Sequence, residues 1–204
     1  MIPDAMPRLL AINGCYRENS VIDQAVSLAV QATLDAGATT EISYLRDLPI
    51  REILDCRQCT QRAGDIPVEC MIRNHMQELL EQIETADGFI LASPANFYTA
   101  TSVFMHFMAR LMEYARKQRG MDSPSSGDQS RSRPALLIST SATPGLIGRL
   151  YFSTQQQLKE TARTLGAKPA GSVFVELIAE QEHVTLPDKT RRQLQYLAGR
   201  LLRQ

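Results

Sequence analysis

Short runs of apolar residues alternate along this chain with longer stretches whose apolar positions recur every three to four residues. Residues 8–13 (Arg-Leu-Leu-Ala-Ile-Asn) and 88–93 (Gly-Phe-Ile-Leu-Ala-Ser) are apolar at successive positions. That is the pattern of strands covered on both faces, as in a parallel sheet between helix layers. Residues 20–36 and 75–86 carry the helical period instead. The order from the start is strand 8–13, helix 20–36, strand 40–45, helix 75–86 and strand 88–93. It continues with helix 101–115, strand 134–140, helix 149–165, strand 170–177 and helix 187–202. Five strands alternating with five helices predict an α/β, doubly wound parallel sheet of order 2-1-3-4-5 with right-handed crossovers. Ligands of such sheets sit beyond the strand C-termini, near the point where the order reverses. Three segments fall there: residues 13–20, 94–101 and 141–148, after the first, third and fourth strands.

Composition narrows the picture. The chain has 204 residues, 44% of them hydrophobic, enough for one full core and too few for two ordinary domains, so a single domain over 1–204 is expected. Two connections are long. Residues 46–74 hold three cysteines, and residues 117–133 are rich in Ser, Gly and charge, the composition of a mobile loop. Twenty-two Lys plus Arg balance twenty-two Asp plus Glu, so charge recruits neither nucleic acid nor an anionic membrane. No run of about 18 apolar residues occurs and the start lacks a secretory pattern, which predicts a cytoplasmic protein with no membrane segment.

The first loop runs Gly14-Cys15-Tyr16-Arg17-Glu18-Asn19-Ser20. Gly14 permits a sharp turn, Ser20 can cap the helix, and the helix amides together with Arg17 make an anion site suited to a terminal monophosphate. Neither a Walker lysine nor GxGxxG is present. Taken alone, the segment reads rather as an ordinary strand-to-helix turn. The second loop, Pro94-Ala95-Asn96-Phe97-Tyr98, sets an aromatic pair and an amide directly after a buried strand. These offer a flat apolar wall and hydrogen-bonding groups to a heteroaromatic ring; the plainer reading packs both rings under the next helix. The third loop, Ser141-Ala142-Thr143-Pro144-Gly145, supplies small and hydroxyl residues, and its weight comes from sharing the sheet edge with the other two.

These residues resemble the NADPH-dependent FMN reductase branch of the flavodoxin-like flavoproteins. INGCYRENS is similar to the family's Gly-Ser-x-Arg-x-x-Ser phosphate loop, with Gly14, Arg17 and Ser20 in register and Cys15 where Ser is usual. ADGFILASPANFYTATSVFMHFMARL resembles the family's second segment at Ala86-Asp87-Gly88, Ser93-Pro94, Phe107 and Arg110-Leu111, with Asn96 replacing the common Tyr. The resemblance implies a flavodoxin-like three-layer sandwich. It implies FMN held by Gly14, Cys15, Arg17, Asn19 and Ser20 at the phosphate, by Pro94, Ala95, Asn96, Phe97 and Tyr98 at the ring edge, and by Ser141, Thr143 and Gly145 beyond. Losing the hydroxyl at position 15 removes a phosphate hydrogen bond worth about 1.5–3 kcal/mol.

Cys56-Arg57-Gln58-Cys59 through Cys70 resembles the cysteine motif of iron-sulfur flavoproteins, but Arg62 stands where a further Cys lies. A four-iron cluster normally needs four thiolates and this loop has three, so an iron-sulfur cluster is not expected. A zinc site of Cys56, Cys59, Cys70 and His75 has the right ligand types at an unusual spacing. Reduced thiols in an ordinary loop are the expectation, with no metal site.

The helix at 101–115 is apolar nearly all round, with Phe104, Phe107, Met108, Leu111 and Met112 on one face and Met105 on another. Its surplus apolar surface predicts a homodimer or tetramer through this helix. The expected activity is an FMN-dependent oxidoreductase that passes a hydride from NADPH or NADH to flavin and electrons to a small acceptor such as a quinone, flavin or azo compound. Such transfer requires no side-chain acid or base, so no catalytic residue is assigned. Two other readings stay open: an FMN-binding electron carrier or regulatory module reduced by a partner protein, and a scaffold that has lost FMN.

Overall fold

The computed structural model describes residues 6–50, 75–119, 133–141, 153–176 and 185–203. Arg8–Asn13 forms β1 and Val21–Asp35 forms α1. The hydroxyl of Ser20 accepts from the Asp23 amide and caps α1. Val21, Ile22, Ala25, Val26, Ala29 and Val30 repeat at the helical period and are all buried. Thr39–Tyr44 is β2, Met76–Thr85 is α2 and Gly88–Asn96 is β3. Thr99–Ala100 is a two-residue strand β4, followed by α3 at Ser102–Arg119 and β5 at Arg133–Ser141. Thr154–Thr164 (α4), Ala167–Glu176 (β6) and Asp188–Arg200 (α5) complete the described elements.

Five strands run parallel in the order β2-β1-β3-β5-β6. That is the expected 2-1-3-4-5 arrangement of a flavodoxin-like sheet, with β4 added antiparallel to the end of β3. Alternate residues of each central strand face opposite layers, as strand geometry requires. Leu9, Ala11, Ile90, Ala92, Leu136, Ile138, Val173 and Val175 pack with α1 and α5. Leu10, Ile12, Phe89, Leu91, Ala135 and Leu137 pack with α2, α3 and α4. The register between β5 and β6 slips once, between Ala135 and Leu136, where Ala170 is the additional residue.

The second loop departs from expectation. Residues 94–96 continue β3 rather than leave it, and Ala95 pairs with Ala100 and Asn96 with Thr99. The segment is therefore a two-residue hairpin with Phe97 and Tyr98 at its tip. Both have left-handed φ, 44° and 69°, as turns that match the twist of a hairpin demand. Asn-Gly is the usual pair there, and the absence of glycine hid the hairpin from a reading of residue pattern.

Candidate functional site

Because the five main strands are parallel, their C-terminal ends share one edge, and β1 and β3 are neighbours. The first loop leaves β1 at this edge and is fastened at four backbone atoms. The Gly14 amide donates to the Ala92 carbonyl at 2.8 Å, and the Gly14 carbonyl accepts from the Thr101 hydroxyl at 2.6 Å. The Cys15 amide donates to Asn13 Oδ1 at 2.9 Å, and its carbonyl accepts from Arg46 Nη1 at 3.3 Å. Gly14 is needed for close approach: a Cβ there would lie 2.8 Å from Cδ2 of Phe104 and 3.3 Å from the Ala92 carbonyl. Cys15 is only 5% exposed and packs in the core beside α1.

Beyond Cys15 the loop turns outward. Tyr16, Arg17, Glu18 and Asn19 are exposed and Ser20 is half-buried. Asn19 adopts φ 55°, a conformation that Asn tolerates better than most residues, and this delivers the chain into the Ser20 cap. The first amides of α1 have no carbonyl one turn back to receive them, so the helix presents donors and partial positive charge beside Arg17 and the Ser20 hydroxyl.

The hairpin leads directly into α3, whose start is wired to this loop. Tyr16 Oη contacts the Ser102 hydroxyl and accepts from the Val103 amide at 3.2 Å, bridging the first loop to the start of α3. The other side of the hairpin is tied to α4: the Tyr98 carbonyl accepts from the Ser153 amide at 2.8 Å and its hydroxyl at 2.9 Å, and the Ala100 amide donates to Gln157 Oε1 at 2.7 Å. These anchors leave the tip outside the fold, with Phe97 95% and Tyr98 60% exposed. The alternative of both rings packing under α3 does not occur. Pro94 and Ala95 are half-buried and Asn96 is exposed.

Of the third loop, Ser141 ends β5 at the same edge, while Thr143 and Gly145 lie outside the described residues. Cys56, Cys59 and Cys70 lie outside them too, as do residues 120–132 of the polar connection. Among the described residues no group of three or more His, Cys, Asp or Glu is placed to hold a metal. No described helix is long and apolar enough to cross a membrane.

Sequence reasoning missed the residues that support the loops. Asn13, Asp23 and Arg46 hold the first loop, Thr101 joins it to α3, and Ser153 and Gln157 hold the hairpin. Asn13 and Thr101 lie within the two motif segments but at positions the motifs do not specify, and the others lie outside them. Arg46 reaches the first loop because β2 pairs in register with β1, placing Tyr44 opposite Asn13.

A parallel sheet of this order, with a capped helix and an aromatic hairpin converging at its C-terminal edge, defines a flavodoxin-like α/β protein. The sequence match is more specific: residues 7–180 match the family described as NADPH-dependent FMN reductase. The chain belongs to that family. An iron-sulfur flavoprotein of Archaeoglobus fulgidus is 26% identical over 117 residues, 55% of each chain, and one of Methanocaldococcus jannaschii is 28% identical over 90 residues, 44% of each. The chain spans about half the length of these relatives. Among solved structures, an FMN-dependent NADH-azoreductase from Bacillus anthracis in complex with FMN superposes with a TM-score of 0.72 at 18% identity, covering 96% of this chain and 99% of that one. An NAD(P)H:quinone oxidoreductase from Methanothermobacter marburgensis gives 0.67 at 16% identity, covering 96% and 94%. At these identities the likeness is one of fold.

Proposed function

We propose that this protein binds FMN at the C-terminal edge of its sheet and works as an NAD(P)H-dependent reductase of small acceptors such as quinones, flavins or azo compounds. The observation that carries the reading is the meeting at one sheet edge of two unlike surfaces: the first loop, with donors for an anion and tied through Tyr16 to the start of α3, and the hairpin that leads into α3, with exposed aromatic faces. A flavin mononucleotide has these two ends.

In this reading Arg17, Asn19 and Ser20 take the phosphate together with the α1 amides, while Gly14 and Cys15 shape the loop through backbone atoms already engaged inward. Pro94, Ala95, Asn96, Phe97 and Tyr98 border the ring, and Ser141, Thr143 and Gly145 complete the site. The strain held at Phe97 and Tyr98, about 1–3 kcal/mol for each left-handed residue, together with the exposure of both side chains, supports a role for the tip. When bound, FMN would supply the redox chemistry that links nicotinamide oxidation to reduction of the acceptor. The chain's own part is to hold the phosphate, fix the ring edge and present an apolar surface to the incoming partner.

The exposed Met105 and half-buried Met108 of α3 support a homodimer built through that helix, and the uneven spacing of the four cysteines in a chain of this size, unlike that of a disulfide scaffold, supports a cytoplasmic setting. The test of the main reading is direct. Purified protein titrated with FMN should quench the flavin's fluorescence, and the yellow complex should bleach when NADPH or NADH is added without oxygen. A protein that takes up no FMN rules the reading out. A complex that neither nicotinamide reduces points to an electron carrier serviced by a partner.

A further inference from the structure

One buried charge lies where an anion site should not tolerate it. Asp23 is the third residue of α1, in the turn whose amides face the proposed phosphate. A carboxylate in a helix's first turn stabilises the helix itself. It also cancels the positive end that would attract a second anion. The structure sets a cation against it. Arg46 Nη1 lies 3.2 Å from both carboxylate oxygens of Asp23, and the two side chains are 14% and 10% exposed. Asn13 Nδ2 donates to Asp23 Oδ1 at 2.6 Å, and the same Asn13 accepts from the Cys15 amide. The Arg46 guanidinium stacks over the Tyr44 ring at 4.3 Å, which holds it in place.

We propose that the Arg46–Asp23 pair is a charge lock beneath the first loop: Arg46 cancels the Asp23 carboxylate, keeping the start of α1 receptive to phosphate, and is a positioning residue that does not touch the ligand. The inference rests on the FMN reading and adds a determinant of its phosphate selectivity. At a partly buried position such as that of Asp23, an uncompensated carboxylate repels a nearby phosphate more strongly than it would in water. Removing the cation alone therefore acts on the phosphate, not on the ring. Removing both charges restores balance.

The experiment compares FMN with riboflavin, which has the ring and lacks the phosphate, on the full chain carrying Arg46→Gln, Asp23→Asn or both. Arg46→Gln should raise the Kd for FMN about tenfold and leave that for riboflavin within about twofold, and the deficit in FMN affinity should narrow as salt is raised, because salt screens the unmasked repulsion. The double variant should recover FMN affinity to within about threefold of the unaltered protein. Arg46→Lys, which keeps the charge, should stay close to it. Three results overturn the proposal: FMN affinity unchanged in Arg46→Gln, parallel loss of FMN and riboflavin, or a double variant as weak as Arg46→Gln. The last is the outcome if Arg46 grips the phosphate itself or acts only by holding the loop at the Cys15 carbonyl; parallel loss is that of a variant whose fold is generally damaged. An unaltered protein that binds no FMN overturns the FMN reading and this inference with it. An unaltered protein that binds FMN, with Arg46→Gln indistinguishable from it, overturns this inference only.

Discussion

At position 15 one side chain separates a local reading from a tertiary one. In the loop motif the missing hydroxyl looks like a lost ligand to the phosphate. In the fold the Cys15 side chain belongs to the core beside α1, and only its backbone serves the loop, through Asn13 and Arg46. Cys15→Ser should therefore lower stability by about 1–3 kcal/mol, the cost of burying a hydroxyl without a partner, and leave the Kd for FMN within about threefold. Denaturant unfolding and FMN titration of the same variant check both halves; a marked gain in FMN affinity would show that the side chain reaches the phosphate after all. Ser20 caps α1 as its place in the chain implied, because a helix cap depends on neighbours within a few residues.

Among the elements, the β3–β4 hairpin is where the local pattern misled most. Its register is set by Ala95–Ala100 and Asn96–Thr99 pairing and by anchors on α4 that are more than fifty residues away. Two aromatics in the left-handed region make a poor turn on their own. Their exposure means they contribute little to folding. Phe97→Gly should thus raise stability by about 0.5–1 kcal/mol, seen as a melting temperature higher by roughly 1–4 °C. The same variant should weaken FMN binding about three- to tenfold as a face for ring contact is lost. A variant that gains stability and keeps full FMN affinity would remove Phe97 from the site.

For the molecule as a whole, binding and folding are linked. FMN at a hundred times its Kd should add about 2.7 kcal/mol to stability, raising the melting temperature by roughly 5–10 °C in a chain of this size, while riboflavin at the same concentration should add less because it lacks the phosphate. Differential scanning calorimetry with each ligand measures this. Met105→Glu tests assembly: a charge on the outward face of α3 should shift sedimentation from dimer toward monomer, with the far-ultraviolet dichroism unchanged.

The residue order determined the alternation of strand and helix, the parallel sheet and the edge at which a ligand would sit, because burial on two faces and helical periodicity are written in consecutive positions. It determined the Ser20 cap of α1 as well, since a cap lies within a few residues of the amide it serves. The tertiary structure alone decided that Cys15 packs inward, that residues 94–100 form a hairpin, and that Asp23 meets Arg46. Those contacts join residues far apart in the chain through strand register and helix packing, and no local spacing encodes them.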